Sequence, residues 1–185
     1  MTDLIQQLGT LALASRLKRL GELLQRDVSQ VYQDQKLDFH ARWFPVAYLL
    51  SQFSDLPVTT VADKLGLTHP AVNQIAGQMS RRGLLTSRTD PDDERRRLLS
   101  LTSKGKKMVE KLRPLWIAVE TCTSQVIEAS GCNLLAGITA IEHELDRQSM
   151  YDRIRDNLGL DRGQSKPDNG NPGTKNKRHN KEREV

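Results

Sequence analysis

A chain of 185 residues, 37% hydrophobic and 28% charged, has room for one ordinary domain or a small domain with helical extensions, which excludes two independent enzymatic domains. Net charge is +5, but residues 161–185 hold seven Lys or Arg against four Asp or Glu, so they carry +3 and leave +2 for the rest; affinity for nucleic acid does not follow from composition alone. There is no run of about 18 apolar residues, and the opening MTDLIQQL lacks the basic-then-apolar order of a signal peptide, so a cytoplasmic location is expected.

From Leu4 onward, Leu8, Leu11, Leu17, Leu20, Leu24, Val28 and Val31 recur at spacings of three and four, with one gap of six. This predicts an amphipathic helix of about seven turns. It is too long to be covered by the small domain that follows, so its stripe needs a partner surface. Between Phe39 and Thr102 the punctuation is denser. Arg42 to Phe53 reads as a helix with Pro45 in its first turn. Thr59 to Gly66 reads as a short helix, with Thr60 and Asp63 as a capping box and Gly66 as its left-handed stop. Thr68 then caps a further helix that carries Pro70 in its first turn and Gly83 just past its end. Two short helices joined by Gly66-Leu67-Thr68 make a helix-turn-helix.

After Gly83 the period changes. Leu84 to Arg88 and Leu98 to Thr102 read as two strands around a polar loop, giving the helix-turn-helix a β-hairpin wing. Two more apolar stripes follow, Met108-Leu112-Leu115-Val119-Cys122-Val126 and Leu134-Ile138-Ile141-Leu145, separated by Ser130 to Asn133, and Pro114 is expected to kink the first. From about Asp161 the chain is rich in Gly, Pro, Asn and Lys and reads as a disordered basic tail. The predicted fold is mainly α: a winged helix-turn-helix with a two-stranded wing, flanked by N- and C-terminal helices whose stripes need partners. Its expected divisions are residues 1–36 (N-terminal helix), 37–102 (DNA-binding domain), 103–158 (C-terminal helices) and 159–185 (tail).

The chemistry concentrates on the helix from Thr68 to Arg82. Val72, Ile75, Ala76 and Met79 form its inward face, leaving His69, Asn73, Gln74, Gln78 and Arg81 outward. Asn and Gln can make two hydrogen bonds to adenine, and Arg can do the same with guanine, so this face suits base reading in a major groove as well as it suits plain solvation. The stretch DPDDERRRLLSLT adds Arg95, Arg96 and Arg97 at the wing tip, where Arg can enter a narrow minor groove. An aspartate two residues from an arginine can hold its guanidinium, so Asp93 is expected to aim Arg95.

Leu65-Gly66-Leu67-Thr68, Gly83-Leu84-Leu85, Asp90-Pro91-Asp92-Asp93-Glu94-Arg95 and Leu101-Thr102-Ser103-Lys104-Gly105, in this order and spacing, resemble the MarR family of bacterial winged-helix regulators. The resemblance runs from the first helix to about Leu158. It implies a homodimer with intertwined terminal helices, presenting two winged domains to a pseudo-palindromic DNA operator, by family habit as a repressor. By the same resemblance Thr68, His69 and Pro70 open the recognition helix, Asp93 and Arg95 are the wing's Asp and Arg, and Arg95 enters the minor groove. Glu94 departs from the family, where that position is often basic; either Arg96 or Arg97 takes over the phosphate contact. Leu4 to Leu20, Phe39 to Pro45 and Leu67 to Gln74 also resemble the regulator half of proteins that fuse a MarR-like domain to an acetyltransferase. No Gly-rich acetyl-CoA loop is found, so catalysis does not carry over.

Family members often bind small anionic or aromatic effectors near the junction with the long helices. Phe39, His40, Arg42, Trp43, Phe44 and Tyr48 could line such a pocket, with Arg42 on a carboxylate, or serve as ordinary packing. Cys122 and Cys132 belong to no CxxC or Cys/His cluster. Cys122 is expected to be buried on its stripe, and Cys132 is the better candidate for a reactive thiol. His143 between Glu142 and Glu144 suggests a helix surface more than a metal, because adjacent helical residues point apart. No acid/base pair or nucleophile constellation stands out, so no catalytic residue, metal or cofactor is assigned and an enzyme is not expected. The rival is an orphaned regulator half that dimerises and holds nucleic acid without reading it, mainly through its tail.

Overall fold

One glycine interrupts the helix expected over the first 36 residues. The computed structural model describes residues 3–160, so the predicted tail from Asp161 lies outside the described residues. Gly9 adopts φ +55, a left-handed conformation that ends α1 (Leu4–Gln7), and a 3-10 turn over Gly9–Ala12 leads into α2 (Leu13–Asp34). The six-residue gap in the leucine stripe, from Leu11 to Leu17, opens within this turn. Asp3 caps α1 by accepting from the Ile5 N–H at 2.9 Å, and it pairs with Arg19 on α2. The helix α2 closes with Lys36 at φ +54 and the Leu37 N–H on the Tyr32 carbonyl at 2.8 Å, a left-handed end made here without glycine.

The predicted helix from Arg42 is a 3-10 turn, Ala41–Trp43, followed by α3 (Phe44–Gln52), with Pro45 in its first turn. The next helix, α4 (Val58–Leu65), starts a residue earlier than expected. Its N-cap is Pro57, and no side chain caps it, so the Thr60/Asp63 capping box does not form. The reason is non-local: Leu56–Pro57 is a short strand, β1, that pairs with the wing and feeds straight into the helix. The recognition-type helix α5 (His69–Arg81) follows, then β2 (Leu85–Asp90) and β3 (Asp93–Leu101). The sheet therefore has three antiparallel strands in the order β1-β3-β2, one more than predicted, with Leu56 opposite Leu99 and Leu85 opposite Leu101.

The described residues fall into two compact units, divided between Arg113 and Pro114. In the first, Val46, Ala47 and Leu50 of α3, Val61 and Ala62 of α4, and Val72, Ala76 and Met79 of α5 pack with Leu84, Leu85, Leu98, Leu99 and Leu101 of the wing base. Val109 and Leu112 of α6 (Ser103–Ser130) complete this core. An edge-to-face chain of rings, Tyr32 to Phe39 at 5.7 Å and Phe39 to Trp43 at 5.5 Å, joins the end of α2 to it.

Thr102 locks the wing to α6. Its hydroxyl donates to the Gly83 carbonyl at 2.6 Å and accepts from the Gly105 N–H at 3.0 Å, while its own N–H bonds the Leu84 carbonyl at 3.1 Å. Gly105 is buried so closely against Leu84 that a Cβ there would stand 2.0 Å from the carbonyl oxygen. Only glycine fits this approach.

In the second unit, α6 continues beyond Pro114, followed by α7 (Leu134–Arg147) and α8 (Met150–Asn157). Asn133 caps α7 through the Ala136 N–H. Arg153 donates to the Glu144 and Gln148 carbonyls at 2.9 and 3.0 Å, tying α8 to the end of α7. No residue of the described 114–160 is buried. Cys122 is exposed, contrary to expectation, because beyond Leu112 nothing among the described residues buries its stripe. His143 is exposed on α7, as expected of a helix surface.

Candidate nucleic-acid interface

The turn between α4 and α5 is built as its sequence suggests. Gly66 takes φ +61, and the Leu67 N–H returns to the Ala62 carbonyl at 2.9 Å. The Thr68 hydroxyl accepts from the Ala71 N–H at 3.3 Å, and Pro70 occupies the first turn, where its missing N–H has no consequence. At the far end Gly83 takes φ +68, and the Leu84 N–H reaches the Met79 carbonyl at 3.0 Å. The ends of α5 are thus fixed, and so is its rotation: Val72 and Met79 are fully buried, Ala76 nearly so, and Ile75 half-buried.

Asn73, Gln74 and Arg81 are exposed on the other side of α5, with Thr68 and Pro70 at its start. His69 is half-buried. Gln78 departs from the expected set, because its Oε1 accepts from the Trp43 Nε1–H at 2.9 Å. In this arrangement Gln78 satisfies the one polar atom of a buried indole, which commits one lone pair of its carbonyl oxygen within the protein. Arg82, at the end of α5, pairs with Asp38.

The wing strands are longer than expected. Its turn is confined to Pro91 and Asp92, so Arg95, Arg96 and Arg97 lie on β3 and not in a loop; all three are exposed. The ladder is irregular there: Thr89 stands opposite Arg97 and Asp90 opposite Asp93, so Glu94, Arg95 and Arg96 fall in a bulge of β3. Arg97 donates to the Ser87 hydroxyl at 3.2 Å across the ladder.

Asp93 does not hold the Arg95 guanidinium. Its carboxylate accepts from the backbone N–H of Arg95 at 3.0 Å, as Asp90 accepts from that of Asp92 at 3.1 Å. Both are aspartate turns that shape the tip, so Asp93 positions the backbone from which Arg95 projects and leaves the guanidinium to other partners. At the wing base Arg88 donates to Asp55 at 3.2 Å. This bond, with the Ser100 hydroxyl, holds the Asp55 carboxyl below its ordinary range. Sequence reasoning misses that pair, since 33 residues separate its members and neither lies in a motif.

The candidate effector residues divide. Phe39 and Trp43 are core, and His40 is half-buried with its ring edge-to-face on Trp43 at 4.6 Å. Arg42, Phe44 and Tyr48 are at the surface, the last two with ring centroids 5.6 Å apart. Packing accounts for Phe39 and Trp43 without a ligand.

Residues 37–96 match the model of the MarR family. In fold the chain is similar to the S. aureus MepR–DNA complex, at 22% identity over 72% of this chain and 98% of that one, with a TM-score of 0.60. A MarR mutant from E. coli complexed with operator DNA matches at 16% identity over 79% and 98%, with a TM-score of 0.57. The PcaV transcriptional regulator from Streptomyces coelicolor, in complex with its natural ligand, matches at 24% identity over 85% and 99%, with a TM-score of 0.55. No curated protein matches this chain. Among the described residues no helix is long and apolar enough to cross a membrane. The matched segment contains the whole of α5 and the wing turn, so the outward residues of both lie within it.

Proposed function

We propose that the chain is a cytoplasmic DNA-binding transcription regulator, a repressor, that holds a pseudo-palindromic operator as a homodimer. The observation that carries this reading is the division of α5: Val72, Ala76 and Met79 are buried, while Asn73, Gln74 and Arg81 face outward beside a wing whose exposed Arg95, Arg96 and Arg97 form a second cationic edge. Asn73 and Gln74 read adenine edges in the major groove, Arg81 supports them, and Arg95 enters the adjacent minor groove. Similar folds have been captured with DNA and with operator DNA.

Dimerisation is supported by Leu13, Leu17, Leu20 and Leu24, which are all exposed along α2, and by the exposed Val126 and Ile141 of the second unit. In this reading residues 1–36 and 103–158 are the dimerisation helices, and two copies span half-sites about 10 bp apart. A small anionic or aromatic effector meets Arg42, Phe44 and Tyr48, with Phe39 and Trp43 as the packed wall behind them; the similar PcaV structure holds its natural ligand.

The test is binding to a duplex selected by the protein from a randomised library. Asn73→Ala is expected to cost about 1–3 kcal/mol on the best site and to relax preference at one position. Arg95→Ala should weaken binding while leaving thermal unfolding unchanged. Equal losses on every sequence would instead indicate a module that holds nucleic acid without reading it.

A further inference from the structure

The first turns of α6 carry an unusual density of cations: Lys104, Lys106, Lys107, Lys111 and Arg113 stand against a single acid, Glu110. They divide by helical spacing. Lys104, Lys107 and Lys111, three and four residues apart, share one face, whereas Lys106 and Arg113 lie with Glu110 on another, lining a cleft with the end of α3. Lys106 is also drawn towards Asp55.

The face of Lys104 is oriented by direct contact. Its Nζ donates to the Arg82 carbonyl at 2.8 Å, and a Cβ on Gly83 would meet its Cδ at 3.8 Å. This side of α6 is therefore continuous with the C-terminal end of α5, where Arg81 is exposed. Lys104 is occupied there, closing the carbonyl end of the recognition helix. Lys107 and Lys111 are exposed, and neither forms an ion pair among the described residues.

We propose that Lys107 and Lys111 form a phosphate-contacting stripe that extends the DNA footprint from the end of α5 along the first turns of α6. The stripe rests on the reading above and deepens it by adding a contact that carries no sequence information. Two ammonium groups at helical spacing, without carboxylate partners or base-reading geometry, suit a phosphate backbone as point charges.

The experiment uses the full chain and a duplex selected from a library with a randomised centre and long constant flanks. Its readout is the slope of log K against log salt concentration. In Lys107→Gln/Lys111→Gln that slope should fall by about two per protomer, equally on the selected and on a scrambled duplex. Trimming the flanks should erase the difference. Lys107→Arg/Lys111→Arg should keep the full slope, and Lys106→Gln/Arg113→Gln, with the same loss of charge on the other face, should leave it unchanged. Should the double variant fold poorly, Lys111→Gln alone should lower the slope by about one. An unchanged slope, or an equal fall in the Lys106/Arg113 control, overturns the stripe while the selected duplex still supports the regulator. A wild-type chain that selects no duplex overturns both.

Discussion

The winged segment and the helices that flank it treat their apolar residues in opposite ways. Between Phe39 and Leu112 the chain buries its own core, from Val46 on α3 to Leu112 on α6, and closes the only polar group of Trp43 with Gln78. On α2 the leucines stay in water, and in the second unit Ile117, Val126 and Leu135 are each more than 60% exposed. The contrast is one of self-sufficiency: the first region is specified by what it packs against within the chain, whereas the second carries apolar stripes that nothing among the described residues covers. A second copy of the chain, as proposed above, resolves it.

The largest expected effect breaks that second region alone. Leu17→Glu/Leu20→Glu should convert a dimer to monomers in sedimentation, because four leucines per dimer lose burial worth roughly 2 kcal/mol each, about 8 kcal/mol in all. The monomer should retain the near-ultraviolet signal of the buried Trp43. A variant that sediments as wild type would show that α2 is not the interface.

The next breaks the first region alone. Gly105→Ala places a methyl group 2.0 Å from the Leu84 carbonyl oxygen, which is backbone and cannot rotate away. Denaturant unfolding should show a loss of about 3 kcal/mol, at the upper end for overpacking. A loss below 1 kcal/mol would mean that α6 shifts freely against the wing.

How far each region could be read from sequence follows the range of the interactions. Gly66, Thr68, Pro70 and Gly83 act within four residues of themselves, and the helix-turn-helix they punctuate is where it was expected. The failures are pairings between distant residues. The partnership of Leu56–Pro57 with β3 displaced the α4 start, and Gln78 was taken from the outward set by an indole 35 residues away. Asp93 failed differently. The right pair of residues was chosen, but the acceptor took the backbone N–H in place of the guanidinium, a choice that residue spacing alone does not decide. The motif from Thr102 to Gly105 was legible as a pattern, yet its cause, a glycine pressed beneath the Leu84 carbonyl, exists only in three dimensions.

Gln78 gives a smaller effect that sharpens the division of α5. Gln78→Ala leaves the Trp43 N–H buried without an acceptor and should lower stability by about 1–2 kcal/mol. Asn73→Ala, exposed on the same helix, should stay within about 0.5 kcal/mol of wild type. Thermal unfolding of the two variants distinguishes a residue that holds the recognition helix in place from one presented by it. Equal stability in both would return Gln78 to the outward face.

The smallest effect repeats the glycine substitution in the other region and should have the opposite sign. Gly137 lies within α7, exposed, with no heavy atom within 4 Å of the Cβ it lacks. Alanine there restricts the unfolded chain and favours the helix, so Gly137→Ala should stabilise by about 0.5–1 kcal/mol. The same change at Gly105 destabilises because the wing domain has already filled the space. The sign at Gly137 also reports on coverage. If a second copy packs directly over this turn of α7, the added methyl group meets the partner, and the gain turns to a loss that deepens as protein concentration rises. A concentration-independent gain would instead confine the covering surface to the face bearing Leu134, Ile138 and Ile141.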